Sequence, residues 1–344
     1  MIKDFFSRMI GMFSADVAMD LGTANTLLYV KERGIVLDEP SVVAVNANGG
    51  GVEAVGLEAK RMFGRTPARV RTVRPMKDGV IADFEITNLM ITYFIKKVLK
   101  QYRFVKPRMV VGIPTCITQV EKRAVIDAAL MAGAREVHLV EEPMAAAIGV
   151  GIPVHKPEGN MVIDIGGGTT DVAVISLSAI AYGESIRVAG DEMDEAIVRY
   201  MRLNHHLNIG IFEAERAKIA VGSAYPIVEK LTTEVKGLNV KNGVPTSIIV
   251  DDEEIREAMK EPVGSIITVV LRALEKTPPE LSADIFSNGI YLTGGGALIR
   301  GLDKIIEEKT TMKVYIPDAP LISIVKGAGA VLDNFREMKK VCIN

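Results

Sequence analysis

Two segments of this chain, 144 positions apart, carry nearly the same pattern. The first reads Asp20-Leu21-Gly22-Thr23-Ala24-Asn25-Thr26, the second Asp164-Ile165-Gly166-Gly167-Gly168-Thr169-Thr170. In each, an apolar run (Val17 to Met19; Met161 to Ile163) enters an aspartate, and a glycine and small polar residues follow. A second apolar run then leaves (Leu27 to Val30; Val172 to Ile175). Short apolar runs flanking a glycine turn read as the strands of a hairpin. Glycine lets backbone N–H groups approach phosphate oxygens and permits positive φ. An acid beside such a turn, with hydroxyl and amide side chains in it, suits a loop that receives phosphates and their metal. One such loop could be a plain Asp-Gly hairpin turn. Two of them imply related half-molecules facing each other across one nucleotide.

The order of the remaining elements supports that duplication. After the first hairpin, Ser41 to Val45 and Gly51 to Gly56 read as short strands around a glycine turn, and Asp78-Gly79 marks another turn. Asn88 to Gln101 is apolar at helical spacing, and Met109 to Ile113 is a strand ended by Pro114. Thr118 can cap a helix from Gln119 to Met131, with Glu121 in its first turn and Gly133 as its stop. Val137 to Val140 is a strand, and Glu142 to Ile148 a short helix with Pro143 in its first turn. The second hairpin precedes a mostly helical insertion of about 120 residues, including a helix from Glu213 to Val221. Strand Ile290 to Leu292 then runs into Gly294-Gly295-Gly296 and a helix through Glu308. Lys313 to Ile316 is a strand and Pro320 to Leu332 a final helix. Each half is a strand meander followed by strand–helix–strand–helix, which gives two α/β layers.

Strands follow both acidic loops, so neither is a Walker A loop or a Rossmann fingerprint, each of which opens into a helix. What remains is a β-hairpin phosphate clamp, with Asp20 and Asp164 at strand ends facing Mg²⁺ through water, since that ion keeps much of its hydration shell. Gly294 to Gly296 lies between a strand and a helix, a position that offers backbone donors to an anion or a ligand's polar edge, or simply makes a flexible turn.

Composition narrows the class. The 344 residues allow two domains of ordinary size, and 48% hydrophobic with 24% charged residues is the balance of a globular protein. A net charge of −2 without a basic stripe gives no reason to expect nucleic-acid binding. Two cysteines, Cys116 and Cys342, make no disulfide framework, and a reducing cytosol is the expected compartment. The four histidines read as surface or packing residues. Residues 1–14 place Met1, Ile2, Phe5, Phe6, Met9, Ile10, Met12 and Phe13 on one half of a helical wheel. Ser7 and Arg8 interrupt any signal-peptide core there.

Together the segments 20–26, Glu141-Glu142-Pro143-Met144-Ala145-Ala146-Ala147, 164–170 and Leu292-Thr293-Gly294-Gly295-Gly296-Ala297 resemble the actin/Hsp70/sugar-kinase ATPase superfamily. Within it the chain resembles the MreB bacterial actins of rod-shape determination. Arg74-Pro75-Met76-Lys77-Asp78-Gly79-Val80-Ile81-Ala82-Asp83 and Thr277-Pro278-Pro279-Glu280-Leu281 fit that subgroup.

The resemblance implies an actin-like α/β ATPase fold, two related lobes each with a mixed sheet flanked by helices, and nucleotide in the interlobe cleft. It implies an amphipathic membrane helix at 1–14 and lobe I at 15–152, with a small subdomain near 41–79. Lobe II would be 153–325, with a small subdomain near 191–259, and 326–344 would pack back on lobe I. Gly22, Thr23, Ala24 and Asn25, with Gly166, Gly167, Gly168 and Thr169, would cradle ATP phosphates, and Asp20 and Asp164 would hold Mg²⁺ through water. Glu142 and Thr169 would position the attacking water; a carboxylate suits that task because positioning dominates phosphoryl transfer. Glu142 also satisfies a helix N-terminus. Gly294, Gly295, Gly296 and Ala297 would line adenine and ribose, joined by Glu215, Arg216 and Lys218. Glu215 and Lys218, three apart, could equally form a surface ion pair.

The family further implies an Mg-dependent ATPase whose hydrolysis is coupled to assembly into paired homopolymeric protofilaments that organise cell-wall synthesis at the inner face of the cytoplasmic membrane. Membrane contact would run through Phe5, Phe6, Met9 and Phe13. The Phe104-Val105 pair resembles the family's second insertion loop, or is a hydrophobic turn packed on the body. RodZ, MreC and MreD are the partners implied. Conventional actins carry a lysine in the first loop where this chain has Asn25, which points to slow turnover. A sugar-type kinase is the alternative, but no catalytic aspartate on a substrate side announces itself. A chaperone-type ATPase would need a peptide-binding domain, for which the chain after the core leaves no room.

Overall fold

The computed structural model describes residues 16–49, 51–99 and 106–343. The expected membrane contacts Phe5, Phe6, Met9, Phe13, Phe104 and Val105 lie outside the described residues. The chain divides into two compact units: Met1–Lys156 with Leu177–Ala179 and Ile322–Asn344, and Pro157–Ser176 with Ile180–Leu321.

The first unit is built on a five-stranded sheet in the spatial order Glu136–Glu141, Arg108–Ile113, Val17–Leu21, Asn25–Val30, Gly34–Pro40. The last three strands form an antiparallel meander, and the first three run parallel. The central strands are continuous apolar runs, as burial on both faces requires. Met19, Leu28, Met109 and Val111 are fully buried with Met90, Ile91 and Phe94 of the helix Phe84–Val98. On this sheet also packs the helix Ser323–Asp333, which meets the helix Glu142–Gly149 through glycines. A Cβ at Gly327 would lie 1.7 Å from the Ala145 carbonyl oxygen, and one at Gly149 2.0 Å from that of Ser323. Only glycine permits so close an approach of two helix backbones. A small three-stranded sheet, Val52–Val55, Val43–Asn46, Val70–Val73, carries the helix Leu57–Met62.

The second unit repeats the plan. Its sheet runs Val314–Tyr315, Ile290–Thr293, Asn160–Ile165, Thr170–Ser176, Ala179–Ile186, again two parallel strands joined to an antiparallel meander. Met161, Ile163, Val172, Val174 and Leu292 are buried with Ile197 of the helix Gly190–Asn204 and Ile266 of the helix Asp252–Lys276. The register repeats as well as the order. Asp20 pairs across its hairpin with Leu27 and sideways with Gly112, while Asp164 pairs with Asp171 and Thr293.

Several local expectations hold. The helix Gln119–Met131 opens on a complete capping box between Thr118 and Glu121. Asp78 and Gly79, with φ of 51° and 74°, turn the hairpin Met76–Lys77 and Val80–Ile81. Three expectations are corrected. The helix expected from Asn88 starts at Phe84, because Asp83 accepts a hydrogen bond from Ile86 N at 3.1 Å and so caps it earlier. The insertion expected to be mostly helical also holds strand Ala179–Ile186 and a three-stranded sheet, Leu207–Asn208, Thr232–Asn239, Pro245–Asp251. The glycine triplet does not open a long helix: a single 3-10 turn spans Gly295–Leu298, Gly301 is left-handed at φ 72°, and the α-helix starts at Leu302.

Candidate functional site

Each unit presents one acidic hairpin, and the two hairpins share a backbone pattern. In the first, Gly22 N donates to Asn25 O at 3.1 Å; in the second, Gly166 N donates to Thr169 O at 2.9 Å. The pairs are separated by the same interval as the two aspartates. Glycine is required at 22, where a Cβ would lie 2.7 Å from Asn25 O.

In the first unit the loop is tied down from several sides. Ser41 Oγ donates to Gly22 O at 2.7 Å and lies 2.9 Å from the buried Thr26 hydroxyl, and Ser41 N donates to Ala24 O at 2.9 Å. Thr23 Oγ1 accepts from Gly79 N at 2.9 Å, which joins the loop to the Asp78–Gly79 turn. Asn25 Nδ2 donates to Asp38 Oδ1 at 3.0 Å. Asp20 is buried at the end of its strand. Glu142, in the first turn of its helix, is also buried, and its Cγ lies 3.6 Å from where a Cβ of Gly112 would stand. Gly112 is the strand neighbour of Asp20, so the structure brings Asp20 and Glu142 to one place.

In the second unit the loop carbonyls are met by backbone instead. Gly166 O accepts from Gly190 N at 3.2 Å and Gly167 O from Asp191 N at 2.7 Å, at the start of the helix Gly190–Asn204. Thr170 Oγ1 donates to Val188 O at 2.7 Å. Lys218 donates to Gly190 O at 2.7 Å and pairs with Asp194 at 2.8 Å, so it is fastened beside the loop. Burial pushes the Asp194 carboxyl up to about 6 although Lys218 pulls it down. Arg216 is committed elsewhere, to Glu213 at 2.7 Å, to Thr233 at 3.0 Å and to the Glu234 carbonyl. Gly294 and Gly296 wrap Ile165, the residue after Asp164; a Cβ would lie 2.3 Å from Ile165 O and 2.2 Å from Ile165 Cγ2 respectively. Gly294 N donates to Pro320 O.

Asp164 is perturbed in the same direction as Asp194. It is buried, Thr293 Oγ1 donates to its Oδ1 at 2.7 Å, and desolvation pushes its carboxyl up to about 6. A carboxylate held at such a cost is a fit partner for a cation, whose charge would replace the lost hydration. Among the described residues no group of three or more His, Cys, Asp and Glu side chains could hold a metal.

Ser41, Thr293, Gly112 and Asp194 escaped the sequence reading. Thr26 and Thr170, one step past each loop, carried a signal in their equivalent positions. The other four are joined to the loops through strand register or tertiary contact, which no short motif records.

A duplicated mixed sheet with an acidic glycine hairpin in each half defines an actin-like ATPase fold. The MreB/Mbl protein family profile matches residues 14–340. Cell shape-determining protein MreB of Escherichia coli (strain K12) is 51% identical over 328 residues, 94% of each chain. Cell shape-determining protein Mbl of Bacillus subtilis (strain 168) is 46% identical over 96% of this chain and 99% of its own. Among solved structures, MreB5 of Spiroplasma citri bound to AMPPNP is 34% identical with TM-score 0.88, covering 94% of this chain and 97% of that one. The same protein bound to ADP gives TM-score 0.90 over 94% and 98%. The chain belongs to the MreB/Mbl family of cell shape-determining, actin-like proteins. The sugar-kinase alternative is set aside by that membership.

Proposed function

We propose that this chain binds ATP with Mg²⁺, hydrolyses it slowly, and uses the nucleotide state to govern assembly into filaments that maintain rod cell shape. The observation that carries the reading is the pair of acidic hairpins with matching backbone bonds, Gly22 to Asn25 and Gly166 to Thr169. Both loops take phosphates of the same nucleotide. Gly22, Thr23, Ala24 and Asn25 serve one side, and Gly166, Gly167, Gly168 and Thr169 the other. Asp20 and Asp164 hold Mg²⁺ through water, and the ion supplies charge neutralisation on the phosphates. Glu142 and Thr169 orient the attacking water, a role for buried groups whose geometry is fixed before reaction. Gly294 to Ala297, with Glu215 and Lys218, border the nucleoside. Arg216 acts on the same side through the helix it shares with Lys218, holding that helix to the strand Thr232–Asn239. The cell shape-determining relatives and the AMPPNP and ADP bound to MreB5 support the cellular role and the nucleotide.

Assembly takes place on the inner face of the cytoplasmic membrane. No helix among the described residues is long and apolar enough to cross a membrane. The amphipathic segment 1–14 supplies weak attachment through Phe5, Phe6, Met9 and Phe13. A filament presents many copies and gains avidity. Phe104 and Val105 add a second contact. RodZ, MreC and MreD are the membrane proteins this role calls for.

Electron microscopy and light scattering of purified protein with Mg-ATP test the assembly. Filaments are expected; a monomer that transfers phosphate to sugars would overturn the reading. For the membrane step, chain beginning at Ser14 should lose most of its liposome co-sedimentation, and undiminished binding would remove that part of the proposal.

A further inference from the structure

The two halves differ at one position of the shared register. Asp164 faces Thr293 on the neighbouring parallel strand, and that hydroxyl donates to the carboxylate at 2.7 Å. Asp20 faces Gly112 at the equivalent place. Gly112 has no strained φ to account for a glycine. Its surroundings do account for one. A Cβ there would stand 3.1 Å from Ile324 Cγ2, 3.6 Å from Glu142 Cγ and 3.8 Å from Met19 O. A single carbon fits with a small shift of Ile324. The γ atoms of any larger side chain would compete for volume with Glu142, which is itself buried.

We propose that Gly112 is a positioning residue for hydrolysis: the missing side chain opposite Asp20 is the space through which Glu142 reaches the level of the metal-facing carboxylate. The second half fills the same place with Thr293, whose hydroxyl is spent on Asp164. One register position thus separates the half that carries the water-orienting carboxylate from the half that carries a threonine beside its aspartate. This rests on the reading of Glu142 as the group that orients water.

The test compares Gly112→Ala, Gly112→Thr and Glu142→Gln in the full chain. Measured quantities are ATP turnover, KM, AMPPNP affinity and melting temperature. Gly112→Ala should cost no more than about 3-fold in kcat, since its Cβ makes an ordinary contact with Glu142. Gly112→Thr should lower kcat by on the order of 100-fold, the scale of a displacement near 1 Å in a reacting group. Its KM and AMPPNP affinity should stay close to those of the parent chain. The double variant Gly112→Thr with Ile324→Ala opens room on the helix side and separates packing from positioning. Its melting temperature should recover while kcat stays low. Recovery of kcat together with stability, or normal kcat in Gly112→Thr, would overturn the proposal. If Glu142→Gln hydrolyses ATP normally, the reading of Glu142 fails instead. Loss of activity in Glu142→Gln beside normal Gly112→Thr condemns the positioning role alone.

Discussion

The two hairpins are built alike and finished differently. Both place an aspartate at a strand end, turn on a glycine whose N–H closes back on the loop, and leave through a buried threonine. Around the first loop the supports run through side-chain hydroxyls: Ser41 Oγ donates to the Gly22 carbonyl, and the Thr23 hydroxyl accepts from the Gly79 N–H. Around the second they are backbone groups at a helix start, Gly190 and Asp191, with Lys218 and Asp194 locked behind them. The difference shows what duplication preserves. Strand register and turn geometry carry over because they are set by the backbone, whereas the chemistry of each half is set by what stands across from its aspartate.

Removing the shared element should have the largest effect. Asp20→Asn and Asp164→Asn should each lower ATP turnover on the order of 100-fold or more, the scale of losing one preorganised charge in phosphoryl transfer. Enzyme assays with Mg²⁺ titration check this. Full activity in either variant would break the equivalence of the halves.

The second half's private support comes next. Lys218→Met strands Asp194 in the interior, and breaking a buried pair costs about 3–5 kcal/mol. Denaturant unfolding should show that loss at pH 7.5 and a smaller one below pH 6, where Asp194 takes up a proton. Arg216→Ala, on the same helix but exposed, should cost no more than about 1 kcal/mol. The first half's private support is smaller: Ser41→Ala leaves the Gly22 carbonyl without its donor, for about 1–3 kcal/mol and weaker ATP binding.

The smallest effect concerns pH. A carboxyl raised to about 6 by burial binds its proton more tightly folded than unfolded. In nucleotide-free protein Asp164 therefore contributes its full share of stability below the unfolded carboxylate pKa. That share is lost as pH rises to about 6 and beyond. Asp164→Asn should accordingly melt about 2–4 °C above the parent at pH 7.5, with the gap closing towards pH 4. A parent chain more stable than the variant at neutral pH would show that burial of this charge is not costly.

How much of this was legible beforehand follows the range of the interactions. The hairpins, the capping box at Thr118 and the turn at Asp78-Gly79 are written in adjacent residues, and they were read. The start of the helix at Phe84 is an exception to that range: Asp83 caps it locally, accepting from Ile86 N three residues on. Gly112 looks unremarkable in sequence, and Thr293, though inside the 292–297 segment, gains its role as Gly112 does, from the strand pairing that sets them beside Asp20 and Asp164. Arg216 was grouped with the nucleotide residues by its neighbours, Glu215 and Lys218, yet its guanidinium turns to the strand Thr232–Asn239.

The most direct test is a crystal structure of the chain with Mg-AMPPNP. The amides of residues 22–25 and of residues 166–169 should touch the phosphates of one nucleotide, with Asp20 and Asp164 facing its hydrated magnesium ion. A nucleotide contacting one loop only, or one bound to each loop, would contradict the account.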